Sequence, residues 1–122
     1  MNGIKYLVDT NFLIHTDQRK PLVEPFLSEN IAISFISEME LLGVFSISKS
    51  KKDSMQLIIN ECYVLEITQI IKVIAITLKQ KYKLKLPDAI IAATAIHYNL
   101  TFISSDADFK SIKELDLIFL EK

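Results

Sequence analysis

The chain has 122 residues, half of them hydrophobic and 24% charged, which suits one folded domain and excludes a disordered polyelectrolyte. Its 14 basic residues against 15 acidic ones give a net charge of −1, so it is not a general binder of polyanions; any contact with nucleic acid must come from local patches or a bound cation. One cysteine, Cys62, excludes an internal disulfide and a Cys-rich metal site.

No apolar run is long enough and free enough of charge to predict a membrane-spanning helix. The opening MNGIKYLVDTN has too short an apolar stretch for a signal peptide. A cytoplasmic protein with no membrane partner is the expectation.

In chain order, Ile4–Val8 is β-rich and ends at Asp9, the pattern of a buried strand. Phe12–His15 suggests a short helix. Pro21 is placed to open another, with Leu22, Val23, Phe26 and Leu27 following at helical spacing. Ile31–Phe35 reads as a second strand. Ser37 and Glu40 have the spacing of a capping box, and Met39, Leu42 and Phe45 can face a core. Ser50 or Asp53 can start the next helix, which carries Met55, Leu57, Ile58 and Ile59.

Tyr63–Ile67 is a third strand. Thr68 then caps a long helix that closes in the basic stretch Lys79–Lys85, where cations suit the negative helix end. Pro87 starts a further helix with Ile90, Ala93 and Ile96 on one face. Leu100–Ile103 and Leu117–Leu120 are the fourth and fifth strands. Strands separated by long helical runs predict an α/β fold: a central parallel sheet of about five strands flanked by helices.

In such sheets ligands bind beyond the carboxyl ends of the strands, near the point where strand order reverses. Asp9 falls there after strand one, and Asp106 and Asp108 after strand four. Glu40 lies in the helix after strand two, and Asp88 opens the helix that feeds strand four. A cluster of carboxylates repels itself by several kcal/mol at an effective dielectric of about 20 unless one protonates or a cation is added. Hard oxygen ligands without cysteine select Mg²⁺, or Mn²⁺, and such an ion implies phosphodiester hydrolysis.

Plainer roles exist for each acid. Asp9 could simply cap the helix after strand one, Glu40 could pair with Ser37, and Asp88 suits a helix start through the dipole alone. Asp108 reads as a turn or cap residue. His15 and His97 read as packed histidines, and Cys62 as a small hydrophobe.

Four stretches together resemble a family. Val8-Asp9-Thr10-Asn11 with Leu13-Ile14 is similar to the opening Asp-Thr-Asn motif of PIN-domain nucleases. Ile33–Ser37 with Glu40-Leu41 and Gly43 resembles their second acidic motif. Leu86-Pro87-Asp88-Ala89-Ile90-Ile91-Ala92-Ala93 resembles the third. Phe102-Ile103-Ser104-Ser105-Asp106-Ala107-Asp108-Phe109 resembles the fourth. All four occur in the family's order, and the size looks most like the VapC toxins of type II toxin–antitoxin pairs.

The resemblance implies a single PIN-like domain over residues 1–122 and a Mg²⁺-dependent endoribonuclease. It also implies a homodimer held inactive by an antitoxin. By motif, Asp9, Asp88 and Asp106 would be metal ligands. Glu40 would position the attacking water or take its proton, and Asn11 and Ser104 would hydrogen-bond the carboxylates. The fourth motif leaves Asp106 and Asp108 as rivals, with Asp106 favoured by its spacing from Ser104.

With one arginine, Arg19, contacts to RNA phosphates fall to Lys20, the Lys49/Lys51/Lys52 group or the Lys79/Lys81/Lys83/Lys85 group. Two other readings share the same residues or fold: an RNA-maturation nuclease with no toxin role, and a catalytically silent binding module. A receiver-type signalling domain fits poorly, because strand one ends in a single acid and Tyr63–Gln69 offers only Glu66.

Overall fold

The computed structural model describes residues 3–121; Met1, Asn2 and Lys122 of the predicted 1–122 domain lie outside the described residues. Five short strands form one sheet: β1 (Tyr6–Val8), β2 (Ile31–Ser34), β3 (Tyr63–Leu65), β4 (Thr101–Ser104) and β5 (Leu117–Phe119). Their order is β3-β2-β1-β4-β5, and every pairing is parallel. The chain steps outward from β1 to β3, then crosses back to β4 on the other side. Strand order therefore reverses between β1 and β4, the place where α/β sheets open a crevice.

Alternation along each strand divides the core in two. Leu7, Ala32, Leu65 and Phe102 point to one face; Val8, Ile31, Ile33 and Ile103 point to the other. The register keeps like with like, pairing Leu7 with Ala32 and Phe102, and Val8 with Ile103. Burial on both faces is what a parallel sheet requires. Each fully shielded Phe or Ile contributes about 1.5–3 kcal/mol, so a one-residue slip of β4 would exchange Phe102 with Ile103 and misplace both.

Helices α1 (Thr10–Asp17), α2 (Phe35–Leu42) and α3 (Lys49–Asn60) cover the Val8 face through Phe12, Leu13, Leu41, Met55 and Ile59. Helices α4 (Gln69–Lys81) and α5 (Leu86–His97) cover the Leu7 face. In α5 the buried Ala89, Ala92, Ala93 and Ala95 let the helix lie close against α4 and against β2 and β4. Asn99, at φ 55°, ends α5: its N–H bonds Ile96 and the next N–H, of Leu100, bonds Ala95, which turns the chain into β4.

Several predicted boundaries move. The run opened by Pro21 is a 3-10 helix, Pro21–Phe26, because Pro25 inside it has no N–H to give an α-helical bond. Strand β3 stops at Leu65 rather than Ile67, and α4 stops at Lys81, before the end of the basic stretch. Helix α3 is capped by Ser48, whose side chain accepts from Lys51 N–H, not by Ser50 or Asp53.

The largest correction concerns α2. It follows β2 with no loop, and Ser34 is its cap, accepting from Ile36 N–H at 3.1 Å. Ser37 therefore lies a turn inside the helix and fully buried. No capping box forms, and Glu40 is free for another partner.

Candidate functional site

Asp9 follows β1 directly at the reversal point. Its Oδ1 accepts from Phe12 N–H at 2.9 Å and so caps α1. Its Oδ2 accepts from the Ser104 hydroxyl at 2.6 Å. Capping and site membership are not rivals here, because the two oxygens serve one each.

Ser104 ends β4 and is fully buried. Its Oγ also accepts from Asp106 N–H at 2.9 Å, so one hydroxyl links the first and fourth motifs. Asp106 in turn caps a short 3-10 helix, Ala107–Ser111, through Oδ1 and Asp108 N–H at 2.9 Å. Asp88 sits half-buried in the first turn of α5. Asp88, Asp106 and Asp108 each present one carboxylate oxygen within 4.8 Å of the others.

Glu40 is exposed, and its Oε1 accepts from the Thr10 hydroxyl at 2.6 Å. Thr10 Oγ1 also lies 3.0 Å from Ser37 Oγ. A carboxylate can only accept, so the Thr10 proton goes to Glu40 and Ser37 donates to Thr10. The buried Ser37 thus steers Thr10, and Thr10 steers Glu40.

The electrostatics bind these groups together. Burial pushes the Asp9 carboxyl up to about 6, against the lowering effect of the Ser104 and Phe12 hydrogen bonds, and repulsion from Asp106 and Asp88 adds to the rise. Asp88 is also raised, first by burial and then by Asp106 and Glu40; Lys85 offsets part of this and Asp108 adds to it. Carboxylates crowded until their charged forms are disfavoured, with oxygen donors clustered on one side, fit a hard divalent cation.

Asp88 and Asp106 thus share one ligand-spaced group, and Asp9 and Glu40 lie within electrostatic reach of it, with Ser104 touching Asp9 and Asp106. Asp108 stands with Asp88 and Asp106, so the two acids that the fourth motif leaves as rivals both belong to the group. Asn11 does not join: it is exposed and hydrogen-bonds none of the acids. A helical step of about 100° separates it from Thr10, so both cannot face α2. Thr10 and Ser37 are the residues that sequence reasoning misses, though both lie inside the motifs and only their helical phase was lacking. Cys62 stands apart, half-buried, with burial and then the charge of Glu61 pushing its thiol up to about 11. No helix among the described residues is long and apolar enough to cross a membrane.

Comparison with known proteins agrees with this fold. A chain in a toxin–antitoxin complex from Klebsiella pneumoniae is 31% identical, with 93% of this chain and 96% of that one covered and a TM-score of 0.79. A chain of VapBC2 from Rickettsia felis, solved with a DNA fragment of its promoter, shares the fold at 22% identity, covering 97% and 99% with a TM-score of 0.82. VapBC-1 from nontypeable Haemophilus influenzae shares it at 24% identity, covering 95% and 97% with a TM-score of 0.79. Comparison with curated proteins gives no match. The PIN domain model matches residues 6–115, which span all five acids and four of the five strands, and the chain belongs to the PIN domain family.

Proposed function

We propose that this chain is a metal-dependent endoribonuclease of the cytoplasm and the toxin of a type II toxin–antitoxin pair. The observation that carries this reading is the ligand-spaced group of Asp88, Asp106 and Asp108, with Asp9, at the reversal of strand order, and Glu40 within electrostatic reach of it. Membership of the PIN family and the likeness to a toxin–antitoxin chain support the toxin assignment.

In this reading Asp9, Asp88 and Asp106 hold Mg²⁺ or Mn²⁺, with Asp108 beside them. Such an ion, when bound, polarises a phosphate oxygen and makes water more acidic. The protein's own groups do the rest. Ser104 and the Phe12 N–H fix Asp9 in one orientation. Thr10 engages one oxygen of Glu40 and leaves Oε2 to take a proton from the attacking water.

An antitoxin and a second copy of the chain complete the proposal. Exposed hydrophobic residues support further partners: Met39, Val44 and Phe45 around the end of α2, and Ile70, Val73 and Ile76 on α4.

The test is expression in a bacterial host of the wild type and of Asp9→Asn, followed by sequencing of RNA 5′ ends. Growth arrest with discrete new ends in the wild type alone supports the proposal. Identical ends in both, or none in either, would remove it and favour a silent binding module.

A further inference from the structure

The site carries five carboxylates, and an RNA backbone approaching it meets a field of its own sign. A local cation is needed even with a metal present, and the basic stretch that runs from the last turn of α4 to the start of α5 is the place to look. Its four lysines are not equivalent. Lys79 Nζ donates to the Leu84 carbonyl at 3.0 Å, and Lys81 pairs with Glu114 at 3.0 Å. Tyr82 gives its hydroxyl proton to the same Glu114 at 2.6 Å and accepts from Lys113 N–H at 3.1 Å. These contacts fasten the segment between α4 and α5 at both ends.

Leu84 is buried, while Lys83 and Lys85 on either side of it are exposed and make no ion pair among the described residues. Lys85 is the N-cap of α5, three residues before Asp88, and its charge reaches that carboxyl. Two of the lysines thus build a fixed platform, and the other two stand on it without an ion pair among the described residues, Lys85 beside Asp88. The Lys49 and Lys51 ends, by contrast, are engaged with Asp53 and Asp17.

We infer that Lys85, with Lys83 behind it, binds phosphates of the RNA strand and seats that strand against Asp88 and Asp106. The inference rests on the ribonuclease reading and names the residues that would hold its substrate. Lysine suits the task as a point charge on a flexible stem, which holds a backbone without reading its sequence.

The experiment measures binding of short, fluorescein-labelled single-stranded RNAs of randomised sequence in EDTA across a salt series, and cleavage of the same RNAs with Mg²⁺. Lys85→Gln should weaken binding alike for all sequences and make the slope of log affinity against log salt shallower by about 0.7, with Lys83→Gln adding a similar change. KM should rise with kcat held, and Lys85→Arg should restore the slope. Lys5→Gln, an exposed lysine just before β1, at the opposite end of that strand from Asp9, should change neither.

A wild type that cleaves, with KM and salt slope unmoved in both lysine variants, overturns this inference and leaves the nuclease reading standing. Equal losses in Lys5→Gln overturn it as well. Lys85-dependent binding with no cleavage supports the contact and sinks the nuclease reading; a wild type that neither binds nor cleaves sinks both.

Discussion

Ser104 and Asp9 are 95 positions apart in sequence, and the Ser104 hydroxyl donates to Asp9 Oδ2 at 2.6 Å, fully shielded from solvent. The bond joins the ends of β4 and β1, the two strands between which the sheet changes direction. Because the same Oγ accepts from Asp106 N–H, it also sets the distance between two of the acids.

Ser104→Ala removes both contacts. A hydrogen bond to a carboxylate contributes about 1.5–3 kcal/mol, so a stability loss of that order is expected in metal-free buffer near neutral pH. Positioning is lost too, and Mg²⁺ affinity should fall by about 10–100-fold. Ser104→Thr keeps the hydroxyl and should recover most of that affinity. Titration of the melting temperature with Mg²⁺ measures both quantities.

Asp9 makes the metal-free protein less stable as pH rises. Its carboxyl moves from 3.8 to about 6 on folding, so between those values the folded chain binds more protons than the unfolded one. The stability it contributes is fully present below about pH 4 and is lost as pH climbs through 6. A shift of about two pH units corresponds to about 3 kcal/mol. Asp9→Asn keeps an oxygen for Phe12 N–H and gains an amide that can donate to Ser104. Its melting temperature in EDTA should exceed that of the wild type near neutral pH, and the two should converge towards pH 4. A lower melting temperature for the variant at neutral pH would contradict this account.

The same carboxyl sets the pH range for metal binding. A divalent ion takes the ionised form, so protons compete with it below about pH 6. Mg²⁺ affinity should fall by about tenfold for each pH unit below 6 and level off above it. Calorimetric titration at several pH values reads this directly. A flat profile across that range would place the ion away from Asp9.

Thr10→Val removes the donor to Glu40 with nearly the same volume. Glu40 is exposed and loses no shielding, but the buried Ser37 hydroxyl loses its acceptor, so a stability loss of about 1–3 kcal/mol is expected. Activity should fall because Glu40 loses the contact that orients it, and Thr10→Ser should restore it. The check is kcat for RNA cleavage alongside a denaturation curve. An unchanged kcat in Thr10→Val would remove Glu40, or its orientation, from the proposed chemistry.

The strands and most helices could be read from sequence because their signals are local: short β-rich apolar runs before Asp9 and before Ser104, a cap at Thr68, and a proline opening α5. The acids could be placed at one sheet edge because parallel topology dictates where strand ends meet. Fine phase was harder. Ser34 and Ser37 offer the same hydroxyl three residues apart, and only the absence of a loop after β2 selects Ser34. That choice decides whether Glu40 bends back to its own helix or crosses to Thr10. Asn11 against Thr10 was likewise a question of helical phase. Asp108 joins its neighbours because Asp106 caps the 3-10 turn after β4 by accepting from Asp108 N–H, which holds the two residues close.

The alanines of α5 explain why the third motif extends beyond its acid. Ala92 is fully buried, on the face of α5 that packs into the core cluster with β4 and α4. It lies one turn after Asp88 on the same helix. Ala92→Leu adds three heavy atoms where no room exists, which should cost about 1–3 kcal/mol. To fit them, α5 must move away from the sheet and carry Asp88 away from Asp106. A displacement near 1 Å can cost about 100-fold in rate, so cleavage should fall much further than the folded fraction does. Leu86→Ala, at the exposed first residue of α5, should leave stability within about 0.5 kcal/mol. Comparing kcat at matched folded fraction separates the two effects; a loss in Ala92→Leu no larger than its unfolding explains would mean that Asp88 tolerates a shifted α5.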